Sequence, residues 1–242
     1  MPDVSDPRPT LPADEVHLWR IPLDRSGPEV ARLASVLSDG EEARAARYRE
    51  GPIRDRFIVG RGAVRSILAG YLGRVPGVLE IVYGHQGKPA LARRVGDPPL
   101  EFNLAHSDNL GLLAVAYGRA LGTDLERVRP MPDAARIAER FFSTAEAEAF
   151  RRVSEAGRVD AFFQCWTRKE AFIKAIGAGF GMPLDQFDIA FGPGVPPRLL
   201  RVEGRPEEVA RWTMRDVDAG PGFIAVVAVE GVGWEVRTFD HS

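Results

Sequence analysis

Val16-His17-Leu18-Trp19-Arg20-Ile21-Pro22-Leu23 reads as a β-strand, and nineteen residues after Trp19 the chain runs Ser38-Asp39-Gly40-Glu41. Ala120 to Val128 reads as another strand, and nineteen residues after Asp124 comes Ser143-Thr144-Ala145-Glu146. Both tetrapeptides are capping boxes, a Ser cap with Glu at the third helical position, and each opens an Ala-, Arg- and Glu-rich segment of helical period. Adding 105 to the residue number carries Trp19 to Asp124, Ser38 to Ser143, Glu41 to Glu146 and Phe57 to Phe162 without a gap. Strands at Glu80 to Tyr83 and Gly111 to Tyr117 match Phe187 to Phe191 and Phe223 to Val229 with small shifts. Strand, helices and strands written twice imply an α+β pseudo-dimer, two similar halves packed against each other with the site between them. The halves are residues 1–118 and 119–242, with the boundary near Gly118.

Composition narrows the function classes. The 242 residues are 45% hydrophobic and 27% charged, ordinary globular values that exclude a fibre, a coiled coil or a disordered tail. A net charge of −2 argues against nucleic acid or an acidic membrane as partner. Cys165 stands alone, so no internal disulfide ties the chain to an oxidising compartment. The stretch from Met1 to Glu15 is acidic and Pro-rich, without the apolar core of a signal peptide. The longest apolar run, Phe223 to Val229, is far shorter than the roughly 20 residues of a membrane span. A cytoplasmic protein is expected.

The halves differ where chemistry is at stake. The shift of 105 sets Trp19, Ile21 and Arg65 opposite Asp124, Glu126 and Glu170. Asp124 and Glu126 are two apart in a strand, so both leave one face and Leu125 the other. Asp-Leu-Glu also suits an exposed strand end. Glu170 lies in Phe162 to Ile176, whose apolar positions recur at helical spacing, and it stands one turn before Lys174. That pair also fits an ordinary helical ion pair. Three carboxylates without a neighbouring Cys or His favour a hard, oxygen-loving cation, with Mg²⁺ the best fit.

The cations are lopsided: 29 Arg against three Lys, namely Lys88, Lys169 and Lys174. A lysine kept among so many arginines marks a place where a compact ammonium is preferred. Lys169 and Lys174 flank Glu170. Lys88 sits in Gly87-Lys88-Pro89, a turn that presents a cation on a loop. Phe102-Asn103-Leu104-Ala105-His106-Ser107 follows a Pro-Pro turn; His106 beside Ser107 suits either a structural histidine or a phosphate donor. Arg56, Arg61 and Arg65 lie on the first-half helix that the repeat pairs with the Glu170 helix. Cys165 reads as a small buried hydrophobe. His17, His85 and His241 have no metal-ligand spacing, and no phosphate-cradling glycine loop or nucleophile elbow is present.

Gly122-Thr123-Asp124-Leu125-Glu126 and Trp166-Thr167-Arg168-Lys169-Glu170-Ala171-Phe172-Ile173-Lys174, with the Gly87 and Phe102 motifs before them, resemble the 4′-phosphopantetheinyl transferases of the long, surfactin-synthetase-activating type. The resemblance implies a monomeric pseudo-dimer. It also implies transfer of phosphopantetheine from coenzyme A to a serine of an apo acyl or peptidyl carrier protein, releasing adenosine 3′,5′-bisphosphate. By that pattern Asp124, Glu126 and Glu170 hold Mg²⁺, or Mn²⁺, on the pyrophosphate. Glu170 also serves as base, directly or through water. Lys174 neutralises the leaving phosphate, and Lys88, His106, Ser107 and Arg56 hold the phosphates of coenzyme A. Ala105 departs from the serine many members carry, and Thr123 from a β-branched apolar residue. Two other readings suit the same residues, a non-catalytic module binding coenzyme A or a carrier protein, and a Mg²⁺-dependent pyrophosphate hydrolase.

Overall fold

The computed structural model describes residues 10–242, and of Phe180 the backbone alone. The first nine residues of the acidic, Pro-rich start therefore lie outside the described residues. The first half runs β1 (Glu15–Pro22), α1 (Gly27–Ala34), α2 (Asp39–Ala45), α3 (Pro52–Leu72), β2 (Ile81–Tyr83), β3 (Pro89–Leu91), β4 (Leu100–Ser107) and β5 (Leu110–Tyr117). The second runs β6 (Leu121–Arg127), α4 (Ala134–Phe141), α5 (Thr144–Arg152), α6 (Arg158–Ile176), β7 (Phe187–Ala190), β8 (Arg198–Val202), α7 (Glu208–Arg211), β9 (Trp212–Val217) and β10 (Phe223–Glu230). Strand β11 (Glu235–Asp240) ends the chain.

The first sheet contains β1-β5-β4 and the second β6-β10-β9, the same antiparallel order of first, last and next-to-last strand. Each half adds a two-stranded ribbon, β2-β3 or β7-β8. Phe102 to Ser107, whose conformation the motif alone left open, lies within strand β4. A division at Gly118 does not separate the two sheets, because β11, from beyond that point, pairs in parallel with β1.

Period-two alternation sorts the cores. In β5, Leu112, Ala114 and Ala116 face the second sheet, while Leu113 and Val115 face the first-half helices. In β10, Ala225, Val227 and Val229 face the first sheet, while Val226 and Ala228 face α6. The layers are therefore helix, sheet, sheet, helix, with an apolar seam between the sheets.

Both expected capping boxes form: Glu41 N–H donates to Ser38 Oγ, and Glu146 N–H to Ser143 Oγ. Each box glutamate also meets a buried cation of the long helix that follows. Glu41 pairs with Arg65, which further donates to the Pro76 and Leu79 carbonyls. Glu146 pairs with Lys169 at 2.7 Å, and Lys169 Nζ donates to the Leu184 and Phe187 carbonyls. The contacts thus make Arg65 the counterpart of Lys169, not of Glu170 as the shift of 105 had it. The second half has one residue fewer between box glutamate and buried cation, so the acid falls opposite Ser66.

Candidate active site

Strand β6 places the acids. Leu121 and Leu125 turn into the seam between the sheets, so Gly122, Asp124 and Glu126 turn the other way, toward α6. Gly122 has a steric reason. A Cβ there would overlap the Ala171 carbonyl oxygen and the Ala175 amide, so only glycine lets α6 lie this close. The close approach brings Lys174 to Asp124, where Lys174 Nζ donates to Asp124 Oδ1. Asp124 is 5% exposed, and its other oxygen, Oδ2, is buried with no hydrogen-bond partner.

Burial pushes the Asp124 carboxyl up to about 7, against the pull of Lys174 and with a further push from Glu170 and Glu126. Burial likewise raises Glu170, which Lys174 lowers and Glu126 raises. The acids therefore feel one another. Among the described residues, however, no three His, Cys, Asp or Glu side chains are gathered tightly enough to hold a metal as they stand. The direct Lys174 pair explains part of this, since the ammonium sits on Asp124 where a cation would. Three mutually repelling carboxylates and a buried oxygen without a donor nevertheless match the donor set of Mg²⁺.

Two cavities share Pro89 and Leu104 as a common wall. The larger, about 750 Å³, is lined by Lys88, Asn103, Phe141, Trp166, Glu170 and Lys174 among others. The smaller, about 470 Å³, is lined by Arg44, Tyr48, Arg56, Phe57, Arg61 and His106. His106 stands between the groups: burial lowers its imidazole first, then Lys174 and Arg61, so the ring is neutral at pH 7.

Several residues singled out from sequence are engaged elsewhere. Arg56 lines the smaller cavity but grips Asp24 at 2.6 and 3.0 Å and the Asp108 side chain at 3.2 Å, so its charge is already matched. Lys88, read as a loop cation, instead donates to the carbonyls of Leu121 and Ala175 at 2.8 and 3.0 Å, and burial lowers it to about 8. Ser107 Oγ donates to Glu126 Oε2 and accepts from the Arg127 amide. Lys169 is fully buried and points away from both cavities, toward Glu146. Cys165 is fully buried too, and burial raises its thiol.

Arg44 and Arg61 have no carboxylate partner among the described residues; both sit over the Phe57 ring, at 5.4 and 5.9 Å. Arg44 carries no motif that would have selected it among 29 arginines. The helical spacing from Arg61 to Arg65 was legible, but not which of the two would be buried.

A family model described as the 4′-phosphopantetheinyl transferase superfamily matches residues 120–225. Over 235 residues the chain is 42% identical to the 4′-phosphopantetheinyl transferase HetI of Nostoc sp. (strain PCC 7120), covering 97% of this chain and 96% of that one. It is 38% identical over 129 residues to AcpT of Escherichia coli (strain K12), covering 53% of this chain and 60% of that one. It is 28% identical over 176 residues to Sfp of Bacillus subtilis (strain 168), covering 72% and 76%. Both carry the same activity in their names. Among the described residues no helix is long and apolar enough to cross a membrane.

Proposed function

The chain belongs to the 4′-phosphopantetheinyl transferase superfamily and is a transferase of that class, and on that premise we propose that it moves the 4′-phosphopantetheine group of coenzyme A to a serine hydroxyl of an apo acyl or peptidyl carrier protein, as a single-chain pseudo-dimer. The matching strand orders of the two halves support the pseudo-dimer. The observation that carries the reaction is the convergence of Asp124, Glu170 and Lys174 beside the larger of two adjacent cavities, the other of them cationic.

In this reading Arg44, Arg61 and His106 receive the phosphates of the nucleotide end. A phosphate anion there offsets Lys174 and Arg61, which add to the effect of burial in lowering His106. Arg56 steadies that wall through Asp24 and Asp108. Asp124, Glu126 and Glu170 would hold Mg²⁺, which neutralises charge on the pyrophosphate when bound. Glu170, on the helix that faces the larger cavity, takes the proton of the carrier serine, directly or through water. The serine oxygen forms a bond to the phosphorus nearer the pantetheine. The bond from that phosphorus to the bridging oxygen breaks, and the electron pair leaves on adenosine 3′,5′-bisphosphate. Lys174, one turn along α6, meets that developing charge. Phosphoryl transfer needs such positioning and neutralisation more than covalent help.

The test is a panel of apo carrier proteins incubated with coenzyme A and Mg²⁺ and read by mass spectrometry. A carrier gaining the phosphopantetheine mass supports the reading. Coenzyme A binding without transfer, or phosphopantetheine release without a carrier, replaces it with a binding module or a hydrolase.

A further inference from the structure

Strand β6 carries the acids yet lies at the edge of its sheet, with β10 as its strand neighbour on one side only. In an antiparallel ladder, alternate residues turn N–H and C=O to opposite sides. The Val128 amide reaches back across the ladder to the Gly222 carbonyl, so the odd-numbered positions 121, 123, 125 and 127 present their backbone groups outward. An open edge of that kind needs covering. Three polar side chains of the first half cover it. Lys88 Nζ donates to the Leu121 carbonyl at 2.8 Å and also to that of Ala175, near the end of α6. Asn103, 4% exposed, accepts from the Thr123 amide at 2.9 Å through Oδ1. Ser107 Oγ accepts from the Arg127 amide at 3.0 Å and donates to Glu126 Oε2 at 2.9 Å.

We infer that Lys88, Asn103 and Ser107 are positioning residues, a three-rung latch through which the first half fixes the acid strand and the end of α6. The inference rests on the proposed role of Asp124, Glu126 and Lys174. The latch assigns Lys88 and Ser107 work that competes with phosphate binding. A serine has one hydroxyl proton, and here it is spent on Glu126. Two of the three ammonium protons of Lys88 are spent on backbone carbonyls. Through these rungs a change in the first half would reach carboxylates that belong wholly to the second.

Ser107→Ala and Ser107→Thr in the full chain test it without relying on turnover. The latch predicts faster hydrogen exchange at the Arg127 amide in Ser107→Ala and at the Thr123 amide in Asn103→Ala. It also predicts that Mn²⁺, titrated by electron paramagnetic resonance, binds Ser107→Ala about 10-fold more weakly, the usual size for loss of an outer-sphere partner. The calorimetric affinity for coenzyme A stays near that of the unaltered chain, and Ser107→Thr restores the Mn²⁺ constant. Weaker coenzyme A binding with Mn²⁺ binding unchanged overturns the latch in favour of a phosphate ligand. Arg127 and Thr123 amides that exchange no faster overturn it whatever the metal does. A chain that modifies no carrier removes the proposed reaction but leaves the amide readout standing.

Discussion

Glu170 and Lys174 stand one turn apart on α6, and Lys174 reaches across to Asp124. Removing the proton acceptor while keeping its shape, Glu170→Gln, should lower transfer by about 100-fold or more, the usual contribution of a general base. Its melting temperature should not fall, since a half-buried carboxyl with a raised affinity for protons is being replaced by a neutral amide. A melting curve beside the mass assay separates the two effects. Lys174→Met should reduce kcat more than coenzyme A affinity, because its charge is needed where charge develops. Lys174→Arg should recover little, as a planar guanidinium does not fit a space that seats a compact ammonium. Full activity in Lys174→Arg would mean that the choice of lysine there is incidental. The alternation of β6 and the spacing of α6 made these residues legible in the sequence. The fates of Lys88 and Lys169 were not legible, because their partners are carbonyl oxygens 15 to 87 residues away that no side-chain pattern announces.

At the scale of elements, the packing of α6 on β6 turns on one missing methyl. Gly122→Ala would drive a Cβ into the backbone of α6 at Ala171 and Ala175, which can yield only if the helix moves. Overpacking of this sort costs about 1–3 kcal/mol. The same displacement carries Lys174 away from Asp124, so activity should fall further than stability. Comparing kcat with the unfolding midpoint checks this. The paired pegs Glu41–Arg65 and Glu146–Lys169 tie each capped helix to the long helix of its half. Lys169→Met strands a buried carboxylate and should cost about 3–5 kcal/mol, measured by urea unfolding. Glu146→Gln with Lys169→Met should recover part of the loss, because no unpaired charge remains. Both boxes were readable as Ser-x-x-Glu. Their pairing with the long helices was not, since it depends on how two helices meet.

Across the whole molecule, β11 carries the end of the chain back to β1. His17 is buried in that joint. It donates to Glu15, accepts from the Tyr71 hydroxyl and packs on the Phe239 ring at 4.8 Å. Burial, helped by Arg237 and opposed by Glu15, holds its imidazole below the ordinary value. His241 follows β11, and burial with Arg25 and Arg32 lowers it to about 4. An unfolded histidine takes its proton near 6.5, so between about 6.5 and about 4 these two imidazoles bind more protons in the unfolded chain than in the folded one. Their contribution to stability should therefore fall as pH falls through that window, against that of Asp124, whose raised carboxyl takes its proton first in the folded chain. On acidification through that window the melting temperature of a His17→Gln, His241→Gln double variant should fall less, or rise more, than that of the unaltered chain, and an equal response would dismiss the two imidazoles as a source.

The sequence by itself determined what is local: two capping boxes, the strands and long helices of a repeated α+β pattern, and two acids on one face of β6. Periods of 2 and 3.6 act over a few residues, so they survive in the order of side chains. The tertiary structure alone decided which cations remain available. Arg56, Lys88 and Lys169 are taken up by distant partners, while Arg44 and Arg61 are left facing a cavity. It also decided that the first half covers the edge of the acid strand and that β11 crosses to β1. The reason is the same in each case. A buried N–H, C=O or charge must find a partner wherever the packing brings one, and that partner has no fixed distance along the chain.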